Sequence, residues 1–256
     1  MREPESDTEA LEALRNRPEQ DAEKIRSMFN RISGAYDRLN RILTMGIDRS
    51  WRRKAVRALG NLRGKRCLDL CCGTCEMVRE LSRRSEGTIG EIVAVDFSEK
   101  MLELAEPKIR MLPNYSQISL KGADVTDLPL DDSSFDIATV AFGIRNVGDI
   151  PAALAEVRRV LTPGGRFMIL EFSTPDDAIV RSLYFFYLRH ILPWIGGALS
   201  GDHRAYRYLN ESAEKFPSGE EFVRILSRAG FTSVSRRPLT FGLVTVYLAE
   251  QETKTV

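Results

Sequence analysis

The apolar positions change period along the chain. Ile25, Met28, Phe29 and Ile32 recur at helical spacing, and Gly34 is the expected stop. Tyr36-Asp37-Arg38-Leu39-Asn40 opens a second short helical piece that ends near Gly46. Asp48 then caps a third helix, with Trp51, Ala55 and Leu59 on one face and Arg49, Arg52, Arg53 and Arg57 elsewhere. From Lys65 onward, short apolar runs alternate with helical periods. Strands are predicted at 66–71, 91–96, 117–122, 135–142 and 166–172. Helices are predicted at 75–84, 98–111 and 150–161, with Ser98 as an N-cap. Beyond Pro175 follow an apolar helical stretch at 179–199, a helix at 202–215 and another at 219–229. Two strands, near 232–237 and 243–250, close the pattern.

Alternating β and α elements imply an α/β fold with a mostly parallel sheet and right-handed crossovers. The two closing strands, joined by a short connection, imply an antiparallel hairpin at one edge. Residues 1–18 are charged and expected to be frayed. Residues 19–62 form an N-terminal helical lid, and 63–256 an α/β domain with a helical insert at 176–216 on the substrate side.

Composition narrows the function classes. The chain has 256 residues, 43% of them apolar, enough for one sizeable core. A net charge of +1 supplies no bulk field for nucleic acid. The acidic, polar first ten residues have neither signal-peptide nor transit character, and no apolar run has the length of a membrane span. A cytoplasmic location is the expectation.

All four cysteines fall within Cys67-Leu68-Asp69-Leu70-Cys71-Cys72-Gly73-Thr74-Cys75. A metal would need four ligands around one ion, each sulfur about 2.3 Å from zinc. An extended strand puts Cys67 roughly 13 Å from Cys71, and no His or carboxylate completes a tetrahedron at familiar spacing. The alternative is strand, tight turn, helix, with small side chains where a nucleotide-like cofactor approaches the backbone. Free cysteine is a small hydrophobe and suits such a slot. No metal site is expected, and reduced thiols fit a cytosolic setting.

Ligands of open α/β sheets bind beyond the carboxyl ends of the strands. The first strand leads to Asp69, Gly73 and Thr74, and the second ends in Asp96, placed to accept from both ribose hydroxyls. The third leads to Asp124 and Val125, where Asp124 could accept from an adenine amino group. The fourth runs into Ala141-Phe142-Gly143-Ile144-Arg145-Asn146. Any one of these acids could be a turn former or cap, but three successive strand ends point to a ligand. A dinucleotide hydride-transfer enzyme fits less well, because the turn carries one glycine rather than GxGxxG.

Several motifs are more specific. They are Met28-Phe29-x-x-Ile32-Ser33-x-x-Tyr36-Asp37-x-Leu39-Asn40, then Gly46 and Trp51-Arg52, then Leu68 to Thr74. Phe142-Gly143-Ile144-Arg145-Asn146, Leu161-Thr162-Pro163-Gly164-Gly165-Arg166 and Leu170-Glu171-Phe172-Ser173-x-Pro175 follow, with Tyr206-x-Tyr208-Leu209-x-x-Ser212 and Phe216-Pro217 near the end. Over roughly residues 24–250 the chain resembles the class I S-adenosylmethionine-dependent methyltransferases of quinone biosynthesis. These methylate a ring carbon of demethylmenaquinol or, in some organisms, of a polyprenyl methoxybenzoquinol. The resemblance implies a Rossmann-like, seven-stranded sheet, S-adenosylmethionine as cofactor and a polyprenyl hydroquinone as substrate. It puts Asp69, Gly73, Thr74, Asp96, Asp124, Val125 and Ala141 at the cofactor, and Tyr36, Phe142, Asn146 and Tyr206 on the substrate side. Cys75-Glu76 departs from the Gly-Asp or Ala-Asp of many relatives, and Ala141 stands where some have Ser.

Methyl transfer to carbon needs a nucleophilic ring, which ionisation of one phenol provides; a free phenol like that of tyrosine titrates near pH 10. Arg145 is a candidate cation beside that oxygen, with an intramolecular ion pair as the plain alternative. Asp37, His190 and His203 are candidate bases. Residues 184–187 and 191–195, with Met28, Phe29 and Ile32, could line a groove for the prenyl tail or simply pack a core. The Arg-rich helix at 49–57 reads as a solvated face or as a transient contact with an anionic membrane surface. A homodimer is a further expectation. Two rivals stay open: a methyltransferase of another small acceptor, and a catalytically silent quinol-binding subunit.

Overall fold

The computed structural model describes residues 12–15, 17, 21–187, 190 and 203–253. Its elements in chain order are α1 (Ala22–Leu43), α2 (Asp48–Ala58), β1 (Arg66–Leu70), α3 (Glu76–Ser85), β2 (Glu91–Asp96) and α4 (Glu99–Ile109). Then come β3 (Ile118–Gly122), β4 (Phe135–Ala141), α5 (Ile150–Val160), β5 (Leu161–Phe172), α6 (Ala178–Phe186) and α7 (His203–Lys215). α8 (Glu220–Arg228), β6 (Phe231–Leu239) and β7 (Val244–Gln251) complete the fold. The seven strands form one sheet in the order β3-β2-β1-β4-β5-β7-β6. The first five are parallel, and β7 runs antiparallel to both β5 and β6. The strand order reverses between β1 and β4, so a crevice opens beyond their carboxyl ends.

Two apolar layers sandwich the sheet. One includes Leu68, Val93, Phe167 and Tyr247 with Leu154 of α5 and Phe222 of α8; the other includes Ile92, Ile137 and Met168 with Val56 of α2 and Leu81 of α3. A third, smaller cluster joins Ile25, Met28, Phe29 and Ile32 of α1 to Met101 of α4 and Ala205 of α7. This cluster seats the lid helix over the carboxyl end of the sheet.

Several elements differ from expectation. α1 runs unbroken through Gly34, whose exposed position has nothing within 4 Å of a built Cβ. Mid-helix glycine costs about 1 kcal/mol relative to alanine, and burial of the apolar stripe on α4 and α7 outweighs it. α2 is entered through Ile47, and Asp48 is its first residue, bonded to Arg52 instead of capping a backbone N–H. β5 begins at Leu161 because Leu161 pairs with Phe135 of β4 and Arg166 with Ile137, the Pro-Gly-Gly segment lying in the register irregularity between them. In the segment expected to fray, Leu14 is buried in the main core and its carbonyl accepts from Ile150 N–H. Part of the predicted 179–199 helix lies outside the described residues.

Candidate active site

A cavity of about 390 Å³ opens beyond β1, β2, β3 and β4, within the size range of small-molecule sites. Gly73, Asp96, Asp124, Val125, Ala141 and Phe142 line it from the sheet, with Phe29 and Tyr36 on α1 and Asn146 on the loop after β4. A second, smaller cavity of about 50 Å³ lies under α1 and shares Tyr36, Cys71, Gly73 and Ala141 with the first. Asp69, Thr74 and Asp37 line this smaller one.

The turn after β1 brings these groups together. Asp96 Oδ2 accepts from Gly73 N–H at 2.8 Å and Oδ1 from Ser98 N–H at 2.9 Å. Each oxygen keeps a second lone pair. Burial pushes the Asp96 carboxyl up to about 6 against the pull of these donors. Gly73 sits at φ +52, a left-handed conformation that favours glycine, and a Cβ there would meet nothing within 4 Å. A cofactor backbone can therefore approach the turn closely. Asp124 Oδ1 accepts from the N–H and hydroxyl of Thr126, which leaves Oδ2 for a ligand. These features fit a cofactor with a ribose and an amino-bearing base.

Asp69 is 1% exposed. Its Oδ1 accepts from the Thr139 hydroxyl at 2.6 Å, and burial pushes its carboxyl up to about 7. Thr74 is also buried, and its hydroxyl donates to Asp37 Oδ1 at 2.5 Å. Lys108 of α4 pairs with the other Asp37 oxygen and also reaches the Thr74 carbonyl. Asp37 thus ties the lid helix to the cofactor turn. Both of its oxygens are engaged, so it is not a free carboxylate poised as a base.

Arg145 is likewise not a free cation. It is 5% exposed, donates to Glu171 Oε1 at 2.7 Å and to the Phe142 carbonyl at 2.6 Å, and lies over the Phe172 ring. Glu171 is fully buried, and burial raises its carboxyl while Arg145 lowers it. The pair fixes the loop that carries Phe142 and Asn146, with Phe142 held at φ +59. Asn146 Oδ1 accepts from the Tyr208 hydroxyl at 3.2 Å. Burial raises the Tyr36 hydroxyl, which keeps it a donor at neutral pH. His203 and Tyr206 sit on α7, but their side chains lie outside the described residues. His190 is exposed and stacks against Phe186.

The cysteines serve packing. Cys67, Cys72 and Cys75 lie in one apolar layer, and Cys71 packs against the other. Burial pushes the Cys67 and Cys71 thiols up, and Cys72 is raised first by its hydrogen bond with Cys75. Three residues that organise the site went unassigned from sequence: Glu171, Thr139 and Lys108. For the first two a signal existed, since a polar residue inside an otherwise apolar strand demands a buried partner.

The model of the ubiE/COQ5 methyltransferase family matches residues 17–251. A ubiquinone/menaquinone biosynthesis C-methyltransferase UbiE of Geobacter sulfurreducens is 43% identical over 232 residues, 91% of this chain and 90% of that protein. A demethylmenaquinone methyltransferase of Bacteroides fragilis is 39% identical over 228 residues, 89% of this chain and 92% of that protein. A solved S-adenosylmethionine-dependent methyltransferase of Thermotoga maritima, described as a possible histamine N-methyltransferase, superposes with a TM-score of 0.62 at 20% identity. That superposition covers 89% of this chain and all of the other, and it bears on the fold alone. With sequence match, sheet order and the position of the cavity in accord, the chain belongs to the ubiE/COQ5 methyltransferase family.

Proposed function

We propose that this methyltransferase uses S-adenosylmethionine to methylate a ring carbon of a polyprenyl hydroquinone, demethylmenaquinol first among candidates. The observation that carries the reading is the larger cavity, which Asp96, Asp124, Tyr36 and Asn146 line together with Gly73. When bound, the cofactor supplies an activated methyl group. Asp96 would hold its ribose, Asp124 and Val125 its base, and the Ala141 backbone the reacting end.

The protein's own part is alignment and charge stabilisation. Holding acceptor and donor in register can supply roughly 7–11 kcal/mol of barrier reduction. The Tyr36 hydroxyl and Asn146 amide are neutral donors placed to stabilise negative charge on the quinol oxygen. Arg145 acts through the loop it braces, since Glu171 balances its charge. α1 and the 144–146 turn contribute Phe29, Tyr36 and Asn146 to the cavity wall.

The membrane expectation gains support from one face. Ile42 and Met45 at the end of α1, Ile179, Leu183 and Phe186 along α6, and Phe241 between β6 and β7 are all exposed. These elements are neighbours: the Tyr187 hydroxyl donates to the Leu43 carbonyl, and Trp51 Nε1 donates to Thr240 Oγ1. A built Cβ at Gly242 lies 3.3 Å from Pro175 Cα. Exposed Arg38, Arg41 and Arg49 flank the patch. A peripheral contact with an anionic bilayer would bring the enzyme to a tail-bearing substrate.

Methyl transfer from labelled cofactor to reduced demethylmenaquinone and to the methoxybenzoquinol, side by side, tests the substrate. Activity on neither would remove it. Sedimentation with anionic vesicles, lost in Leu183→Asp and Met45→Asp, tests the membrane contact. Analytical ultracentrifugation tests the homodimer.

A further inference from the structure

The turn after β1 contains a Cys-x-x-Cys pair, Cys72-Gly73-Thr74-Cys75, whose sulfurs take no part in methyl transfer. Its two ends are already drawn together. Cys75 N–H donates to the Cys72 carbonyl at 2.8 Å and closes a four-residue turn. Such a turn keeps its end Cα atoms within about 7 Å, and a disulfide needs roughly 4.4–6.8 Å. The Cys72 thiol also shares a hydrogen bond with Cys75. Both thiols are free, and both pack in the same apolar layer.

Access to the two sulfurs is unequal. Cys72 is 8% exposed and lines the small cavity under α1, whereas Cys75 is fully buried and is not part of that wall. The cavity measures about 50 Å³, and a site for one water needs at least about 10–15 Å³. A peroxide fits there and a bulky disulfide does not. Cys71 lines the same cavity but packs against the opposite layer, apart from the other three cysteines. An oxidised Cys71 would therefore lack a second thiol to resolve it.

We propose that Cys72 and Cys75 are a modification site, an oxidisable dithiol at which a peroxide entering the small cavity forms a disulfide across the cofactor turn. Cys72, as its thiolate, attacks one peroxide oxygen and the O–O bond breaks. The leaving hydroxide takes up a proton, and Cys72 becomes a sulfenic acid. Cys75 sulfur then attacks Cys72 sulfur, and the Cys75 proton leaves with the sulfenic hydroxyl as water. The two thiols thus lose two electrons and two protons, and the peroxide is reduced to two waters. Burial and the bond with Cys75 raise the Cys72 thiol, so the first step is slow at neutral pH. The same lack of a stabilised thiolate makes the finished disulfide hard to reduce.

Gly73 and Thr74 lie between the two sulfurs in the chain. The Gly73 N–H donates to Asp96, and the Thr74 hydroxyl donates to Asp37. Drawing the sulfurs into a bond displaces this turn, so the oxidised protein loses cofactor affinity. That consequence rests on the S-adenosylmethionine reading; the thiol chemistry does not.

The test treats ligand-free protein with hydrogen peroxide or with glutathione disulfide, then alkylates it unfolded and digests it with trypsin. One fragment, 67–79, carries all four cysteines. Peroxide should leave two of them unalkylated, reversibly with a phosphine reductant, while glutathione disulfide leaves all four alkylated. Cys71→Ala should keep the protected pair; Cys72→Ala and Cys75→Ala should each lose it. S-adenosylhomocysteine at about a hundred times its Kd should slow the oxidation roughly tenfold or more, by mass action. Calorimetry on the oxidised wild type should show S-adenosylmethionine binding weakened about tenfold or more, the loss of one hydrogen bond, and restored by the phosphine. Peroxide should leave the affinity of Cys75→Ala unchanged. Four alkylated cysteines after peroxide, a pair that survives in Cys72→Ala or Cys75→Ala, or a disulfide without effect on affinity would overturn the proposal. Oxidation as fast with glutathione disulfide, or unslowed by S-adenosylhomocysteine, would refute access through the cavity. If Cys75→Ala fails to fold by thermal melt, the wild type before and after the phosphine carries the test. Reduced protein that binds no cofactor refutes the S-adenosylmethionine reading, and the alkylation pattern still decides the dithiol.

Discussion

Gly143→Ala isolates a single steric contact at the heart of the site. Gly143 has φ −114, a conformation open to any residue, so the constraint is space. A Cβ built there falls 2.4 Å from Cys71 Cβ and 3.1 Å from its Sγ, whereas real Cβ contacts stay beyond 3.0 Å. The loop after β4 and the turn after β1 must therefore separate. Overpacking of this kind costs about 1–3 kcal/mol, which lowers the melting temperature by roughly 2–12 °C in a domain this size. Cys71 itself stands at φ +49. Cys71→Gly removes the opposing Cβ and relieves about 1 kcal/mol of left-handed strain, offset by the lost thiol burial. The double variant should thus regain most of the loss, with a coupling of about 1–3 kcal/mol. Thermal unfolding of the four proteins measures the cycle. Calorimetry should show weaker cofactor binding in Gly143→Ala, because both residues line the larger cavity. A Gly143→Ala protein that melts like the wild type, or strictly additive effects in the double variant, would refute the contact.

Other outcomes follow from the same geometry. Glu171→Ala leaves the Arg145 charge buried without its partner and should cost about 3–5 kcal/mol by urea unfolding. Glu171→Gln should cost less, and a loss under about 1 kcal/mol in the alanine variant would contradict the pairing. Asp69, raised by burial from 3.8 to about 7, binds more protons folded than unfolded between those values, so its contribution to stability falls as pH rises through that window. Asp69→Asn should therefore gain on the wild type from pH 4 to 7, by at most about 4 kcal/mol; a pH-independent difference would exclude this origin. Cys75, at φ +64 and fully buried, trades strain against packing. Cys75→Gly should stay within about 1 kcal/mol of the wild type, while β-branched Cys75→Val should lose about 1–3 kcal/mol, both read from chemical denaturation midpoints.

What the sequence made legible is mostly local. Ser98 caps α4 through Met101 N–H, as its position before an apolar period suggests. The acids at the ends of β1 and β2 and the loop after β3 do converge on the crevice, because parallel strands align their carboxyl ends. Partnerships across long separations were not legible. Asp37 is 71 positions from Lys108, and nothing local distinguishes a carboxylate that will be neutralised from one that will act as a base. Arg145 posed the same ambiguity, resolved by Glu171 on the neighbouring strand. Gly34 misled because a local helix penalty was outweighed by tertiary burial. Leu14 was hidden by its charged surroundings, and one apolar residue is too little for a periodic signal.

The sheet order carries a consequence for how the chain is made. β5 is flanked by β4 on one side and by β7 on the other, and β7 is the last of the described strands to leave the ribosome. Until it does, the edge of Phe167-Met168-Ile169-Leu170 has no second neighbour, although α5 and β4 are already present. β6, synthesised before β7, cannot substitute, since it pairs with β7 alone. For some seventy residues of elongation, from β5 to β7, the nascent protein thus exposes an apolar strand edge of the kind that invites wrong pairing. The half formed by β1 to β4 can assemble in order of synthesis. The other half must wait for its final strand and then close at once.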